Sequence, residues 1–74
     1  MSKVPQKGEI WVSEFGEFAY IIKNIDRKSV VAILKQGENY GTLVLPEYNF
    51  KELFIYWKDA VNDVEKLFQV QNNT

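Results

Sequence analysis

The 74-residue chain contains neither cysteine nor histidine. Without cysteine, no disulfide and no thiolate metal site can hold the fold together, and a reducing compartment is favoured. Without histidine, the commonest general base and the commonest metal ligand are missing as well. An enzyme would have to work with carboxylates, lysines or hydroxyls. The sequence therefore predicts a protein that is not an enzyme, with no catalytic residue, no cofactor and no metal site.

Long hydrophobic runs and an excess of positive charge are also missing. No stretch approaches the roughly 20 apolar residues of a membrane span, and residues 1–7 lack the apolar core of a signal peptide. We therefore expect a cytoplasmic protein that does not span a membrane. The net charge of −1 provides no general attraction for a phosphate backbone, which makes nucleic acid an unlikely partner on charge alone.

Apolar and aromatic residues are plentiful in this short chain. They make up 46% and 15% of the sequence, far more than a disordered segment carries, so the chain should fold. A length of 74 residues leaves room for a single domain. Within that domain we expect residues 1–7 to be flexible, residues 9–45 to form strands, and the tail, 71–74, to be frayed.

Four segments rich in β-branched and aromatic residues alternate with turn signals in the first part of the chain. The predicted strands are residues 9–15, 18–25, 30–35 and 42–45. Gly16 marks the first turn, and Asp26 with Arg27 marks the second, because aspartate can bond its own backbone two residues on. A longer loop is predicted over residues 36–41.

After Pro46 the hydrophobic period changes from two to 3.6 residues. The apolar positions on one line of a helical wheel are Phe50, Leu53, Phe54, Trp57, Val61, Val64 and Phe68. Asn49 and Glu52 are placed to form a capping box, so a helix is predicted over residues 50–70, continuous or broken near Lys58 and Asp59. The predicted fold class is α+β: a four-stranded antiparallel meander, or a small SH3-like barrel, followed by this C-terminal amphipathic helix.

Three residues of the predicted helix do not fit its apolar stripe. Ile55, Tyr56 and Val70 lie about 120° or more from the centre of the stripe, so a helix packed by that stripe would leave them exposed. Exposed isoleucine and tyrosine side chains indicate an interface. We predict that this patch binds another protein or a second copy of the chain. The alternative is a bend near Lys58 that turns Ile55 and Tyr56 into the core.

A second hypothesis is single-stranded nucleic-acid binding, which combines basic side chains with stacking rings. The candidate contacts, for nucleic acid or for a sequestered ligand, are Lys23, Arg27, Lys28, Lys35, Tyr20, Tyr40 and Trp11. The bases gather around the second predicted hairpin. For Trp11, which shares its strand parity with Phe15, a place in the core is favoured over a role as a ligand-stacking ring.

Several segments together suggest a family. They are the opening 7–12 (KGEIWV), the strand 20–22 (YII) and the aromatic-rich 50–57 (FKELFIYW). In these features the chain resembles small uncharacterised proteins of bacteriophages and prophages that have SH3-like barrels. The resemblance implies an accessory protein of a mobile element that acts inside a bacterial cell. It would bind, and modulate or inhibit, a host or defence protein, and it brings no catalytic residues.

Overall fold

Five strands and one helix make up residues 3–60, the part of the chain that the structure, a computed structural model, describes. The elements are β1 (Glu9–Ser13), β2 (Phe18–Ile25), β3 (Ser29–Gln36), β4 (Asn39–Pro46), α1 (Glu47–Leu53) and β5 (Phe54–Asp59). The strands form one antiparallel sheet in the order β4-β3-β2-β1-β5. The first four strands are the predicted meander, and β5 returns to pair with β1.

The connection between β3 and β4 is shorter than predicted. Gln36 pairs with Asn39, so only Gly37 and Glu38 lie between the two strands. Gly37 has a φ of 64°, in the left-handed region that favours glycine in tight hairpin turns. Residues expected in a loop, Tyr40 among them, therefore belong to β4.

The predicted helix over residues 50–70 is wrong for residues 54–59. α1 ends at Leu53, and Phe54–Asp59 continue as strand β5. Their sequence, FIYWKD, is rich in β-branched and aromatic residues, and the free edge of β1 offers antiparallel pairing, interrupted by one bulge at Trp57. The remainder of the predicted helix, with Val61, Val64 and Phe68, lies outside the described residues, as do residues 71–74.

The predicted capping box does not form. The helix begins earlier, with the extended Pro46 at its N-cap and no side-chain cap, so Asn49 lies inside α1. The amide of Glu47 instead donates to the carbonyl oxygen of Lys28 at 2.8 Å. The β2–β3 turn thus satisfies one of the amides that a capping side chain would otherwise bond.

The main core lies between one face of the sheet and α1. Its buried residues are Trp11, Ala19, Ile21, Val30, Ala32, Phe50 and Phe54, with Leu34, Leu43 and Leu45 packed at its margin. The ring of Phe50 stacks on that of Phe54 with centroids 4.7 Å apart and meets the Trp11 ring at 5.4 Å. One phenylalanine therefore attaches the helix to both β1 and β5.

The opposite face of the sheet is apolar as well. Ile10 and Ala60 are buried there, with Phe18, Tyr20 and Ile33 packed around them. Apolar side chains on both faces explain why β2 and β3 read as nearly continuous hydrophobic runs rather than as strict alternation. The described chain is thus a mostly β structure with one short helix, roughly consistent with an α+β small barrel.

Because residues 54–59 form a strand and not a helix, Phe50 rather than Trp57 should contribute the larger share of the free energy of unfolding. Phe50 is fully buried, whereas Trp57, at the centre of the predicted stripe, is 45% exposed. We expect Phe50→Ala to lower the free energy of unfolding by about 3–5 kcal/mol and Trp57→Ala to lower it clearly less. Urea denaturation followed by circular dichroism measures both. An equal loss for the two variants would contradict the position of β5.

Candidate functional site

The β2–β3 turn and the end of β2 that leads into it carry three of the four predicted bases. Asp26 and Arg27 have φ values of 52° and 60°, as the central residues of a type I′ hairpin turn require. The amide of Lys28 closes the turn by donating to the carbonyl oxygen of Ile25 at 2.8 Å. Lys23, Arg27 and Lys28 are therefore grouped at one end of the sheet.

The structure does not bring Lys35 to this group. Lys35 lies near the other end of β3, about 20 Å from the β2–β3 turn at the usual rise of a strand, and pairs with Tyr40. Its ammonium group donates to the carbonyl oxygen of Gly37 at 2.8 Å and stands 5.9 Å from the centre of the Tyr40 ring. The four predicted basic residues thus divide between two separate places on the surface.

A buried carboxylate engages part of the basic cluster. Glu47 accepts a hydrogen bond from the Asn24 amide at 3.0 Å and pairs with Arg27 at 3.5 Å and with Lys51 at 4.0 Å. The bond from Asn24 and the positive charges of Arg27 and Lys51 lower the pKa of Glu47 below its ordinary value of 4.5, although burial opposes this shift. Arg27 consequently has a structural partner, which reduces the charge that the turn offers to a phosphate.

The predicted aromatic ligand contacts are not assembled into one pocket. Trp11 is only 3% exposed, and its indole N–H donates to the Glu9 carboxylate at 3.0 Å, so it belongs to the core. Tyr20 lies on the opposite face of the sheet, with Ile10. Tyr40 is on β4, beside Lys35. The strand registers place Tyr20 and Tyr40 on the face opposite Trp11, and β3 lies between their two strands.

The predicted partner-binding residues are also separated. Because residues 54–59 form a strand, Ile55 and Tyr56 point to opposite faces. Ile55 is 68% exposed, whereas the Tyr56 ring meets Trp11 edge-on at 6.0 Å. The Tyr56 hydroxyl donates to Asp59 at 2.8 Å, which raises the pKa of Tyr56. Val70 lies outside the described residues.

A different apolar surface surrounds Ile55. Val12, Phe15, Leu53 and Ile55 line a surface hollow of about 330 Å³ and are named here the Ile55 surface. Val12 pairs directly with Ile55 across β1 and β5. The exposed fractions of Phe15, Leu53 and Ile55 are 67%, 52% and 68%. The ends of β1 and α1, the start of β5 and the first turn thus create a contiguous apolar patch.

The turn that presents Phe15 is held by Ser13. The Ser13 hydroxyl oxygen accepts the amides of Phe15 at 3.1 Å and Glu17 at 3.2 Å, and the hydroxyl donates to the Glu17 carboxylate at 3.1 Å. Gly16 completes the turn with a φ of 81°, which a residue with a Cβ atom rarely adopts. These bonds end β1 at Ser13, so Phe15 is held away from the core face that the parity with Trp11 had suggested.

Residues 3–60 lack two features, a cluster of metal-binding side chains and a membrane-spanning helix. That part of the chain has no group of three or more acidic, histidine or cysteine side chains that could hold a metal ion. None of its helices is long and apolar enough to cross a membrane. The full sequence has no significant match among protein-family models, curated proteins or solved structures.

The lowered pKa of Glu47 makes its contribution to stability dependent on pH. A carboxylate whose pKa is depressed by folding stabilises the protein fully above its unfolded pKa, near 4.5, and loses that contribution as the pH falls through the folded value. We expect Glu47→Gln to cost about 1–3 kcal/mol at neutral pH and progressively less below about pH 4.5. Urea midpoints between about pH 3 and pH 7 test this. Glu38→Gln, in the exposed β3–β4 turn, is the control, and a cost that does not change with pH would contradict the assignment.

The division of the basic residues bears on nucleic-acid binding. Three clustered bases, one of them paired with Glu47, are too few for strong phosphate contacts, so we expect no measurable binding of a fluorescent single-stranded oligonucleotide at low salt. Fluorescence anisotropy is the measurement. Binding that weakens steeply with salt, and that disappears in the double variant Arg27→Glu with Lys28→Glu, would show that the turn is a nucleic-acid site.

Proposed function

We propose that this protein is a non-catalytic binding module that recognises another protein through the Ile55 surface. The observation that carries the proposal is the grouping of four apolar side chains in one hollow, three of them more than half exposed. Large apolar side chains scattered singly over a surface need no explanation, but contiguous ones mark interaction sites. The lack of histidine and cysteine in the whole sequence supports the non-catalytic part of the proposal.

A protein fits this surface better than a nucleic acid does. The lining of the hollow is apolar apart from Ser13, Glu14 and Glu52, so it offers no positive charge to a phosphate. The helix end and the edge strand β5 meet there, and an apolar side chain of a partner can be buried against both. Ile55 itself remains a predicted partner contact, now with Phe15 and Leu53 beside it rather than Tyr56.

The proposed family setting follows from the resemblance to phage proteins with SH3-like barrels. The order β4-β3-β2-β1-β5, with a short helix before the last strand, supports assignment of the sheet to this barrel type. In that setting the partner is a host or defence protein in the cytoplasm of a bacterial cell. Occupation of the partner's surface by a protein of 8.7 kDa would modulate or inhibit the partner by steric exclusion.

A pull-down from bacterial lysate with matched variants tests the proposal. Ile55→Glu places a charge in the hollow, while Val44→Glu changes a similarly exposed aliphatic residue of β4, 60% exposed, away from it. We expect proteins captured by the wild type and by Val44→Glu to be lost at least tenfold with Ile55→Glu, as quantified by mass spectrometry. Circular dichroism should show that both variants are folded. Equal capture by all three proteins would refute the role of the Ile55 surface.

A further inference from the structure

Two carboxylates stand at the rim of the Ile55 surface, and no base lines the hollow. Glu14 precedes Phe15 in the first turn, and Glu52 precedes Leu53 in the last turn of α1. Each apolar wall therefore has an exposed acid beside it. From this arrangement we infer that the Ile55 surface binds a peptide segment of a partner protein in which an apolar anchor residue is flanked by lysine or arginine. The inference rests on the proposed function and specifies its partner.

Within the described part of the chain, neither Glu14 nor Glu52 forms an ion pair. The ion pairs found there join Lys3 to Glu9, and Arg27 and Lys51 to Glu47. Glu52 accepts a hydrogen bond from the Tyr48 hydroxyl, which raises the pKa of Tyr48. A hydroxyl is a neutral donor, so this bond does not remove the negative charge of Glu52, which also lines a second hollow with Arg27, Lys28 and Lys51.

Many segments with an apolar residue could enter the hollow, and the charges of Glu14 and Glu52 determine which of them bind best. Burial of the anchor residue supplies affinity, whereas rim charges mainly select the partner and accelerate its association. A segment with acidic flanks would be repelled by Glu14 and Glu52, and so would an anionic lipid surface. A basic segment meets one carboxylate on each wall. Each such exposed pair contributes little alone, so the preference should be a matter of about one order of magnitude rather than of all or none.

Selection from a random library of displayed 12-residue peptides tests the inference. We expect the immobilised wild type to enrich peptides with a leucine or an aromatic anchor between lysine or arginine residues. The double variant Glu14→Lys with Glu52→Lys should enrich acidic flanks instead. A synthetic peptide from the wild-type pool should bind this variant roughly tenfold more weakly, as measured by fluorescence anisotropy. Glu38→Lys, in the β3–β4 turn and outside the lining of the hollow, should bind that peptide as the wild type does.

The variant Ile55→Asp separates this inference from the proposed function. If enrichment shows no charge preference but is lost with Ile55→Asp, the basic segment is refuted and the protein-binding surface stands. If Ile55→Asp enriches the same peptides as the wild type, the surface itself is refuted. If no peptide is enriched, the inference fails. Light scattering then shows whether a second copy of the chain, dissociated by Ile55→Asp, is the occupant instead.

Discussion

The pairing of β5 with β1 is the constraint on which the rest of the described structure depends. It places Phe54 opposite Ser13 and Ile55 opposite Val12. Alternation then turns Phe54 into the core, against Phe50, and leaves Ile55 on the outer face. The same strand thus closes the core and builds the candidate binding surface. A shift of one residue in this register would exchange the two roles, because every side chain of β5 would change face.

Two buried carboxylates fix the parts of the chain that the sheet does not hold. Glu9 accepts the amide of Gln6 and the Trp11 indole, so the first described residues are tied to β1. Glu47, at the start of α1, holds the β2–β3 turn by accepting a hydrogen bond from Asn24 and pairing with Arg27. At that end of β2, the positive charge of Arg27 is therefore engaged in an ion pair within the protein. The Ile55 surface lies by the β1–β2 turn, at the opposite end of β2. Its two carboxylates, Glu14 and Glu52, form no ion pair in the described part of the chain.

The four strands of the meander and the β2–β3 turn could be predicted from the sequence, because each depends on neighbours within a few residues. The end of β1 and the length of the β3–β4 turn differ from the prediction. Asp26 and Gly37 sit where tight turns need left-handed backbone, and the β-branched runs between them pair as a meander. The segment after Leu53 could not be predicted in this way. Phe50 and Phe54 are buried whether residues 54–59 continue the helix or form a strand. What decides between the two is pairing with β1, at the other end of the described chain, which no local pattern reveals.

The candidate site was harder to predict for a related reason. Hydrophobic periodicity predicts the face that a residue occupies only within a continuous helix or strand. The Ile55 surface is formed where β1 and α1 end and β5 begins. Phe15 follows Ser13, whose hydroxyl stops β1 by capturing two amides of the turn. Leu53 is the last residue of α1, so its place on the apolar stripe does not bury it. Side chains at such ends need not pack in the core, which leaves them available for a partner, and acidic neighbours can then determine which partner binds.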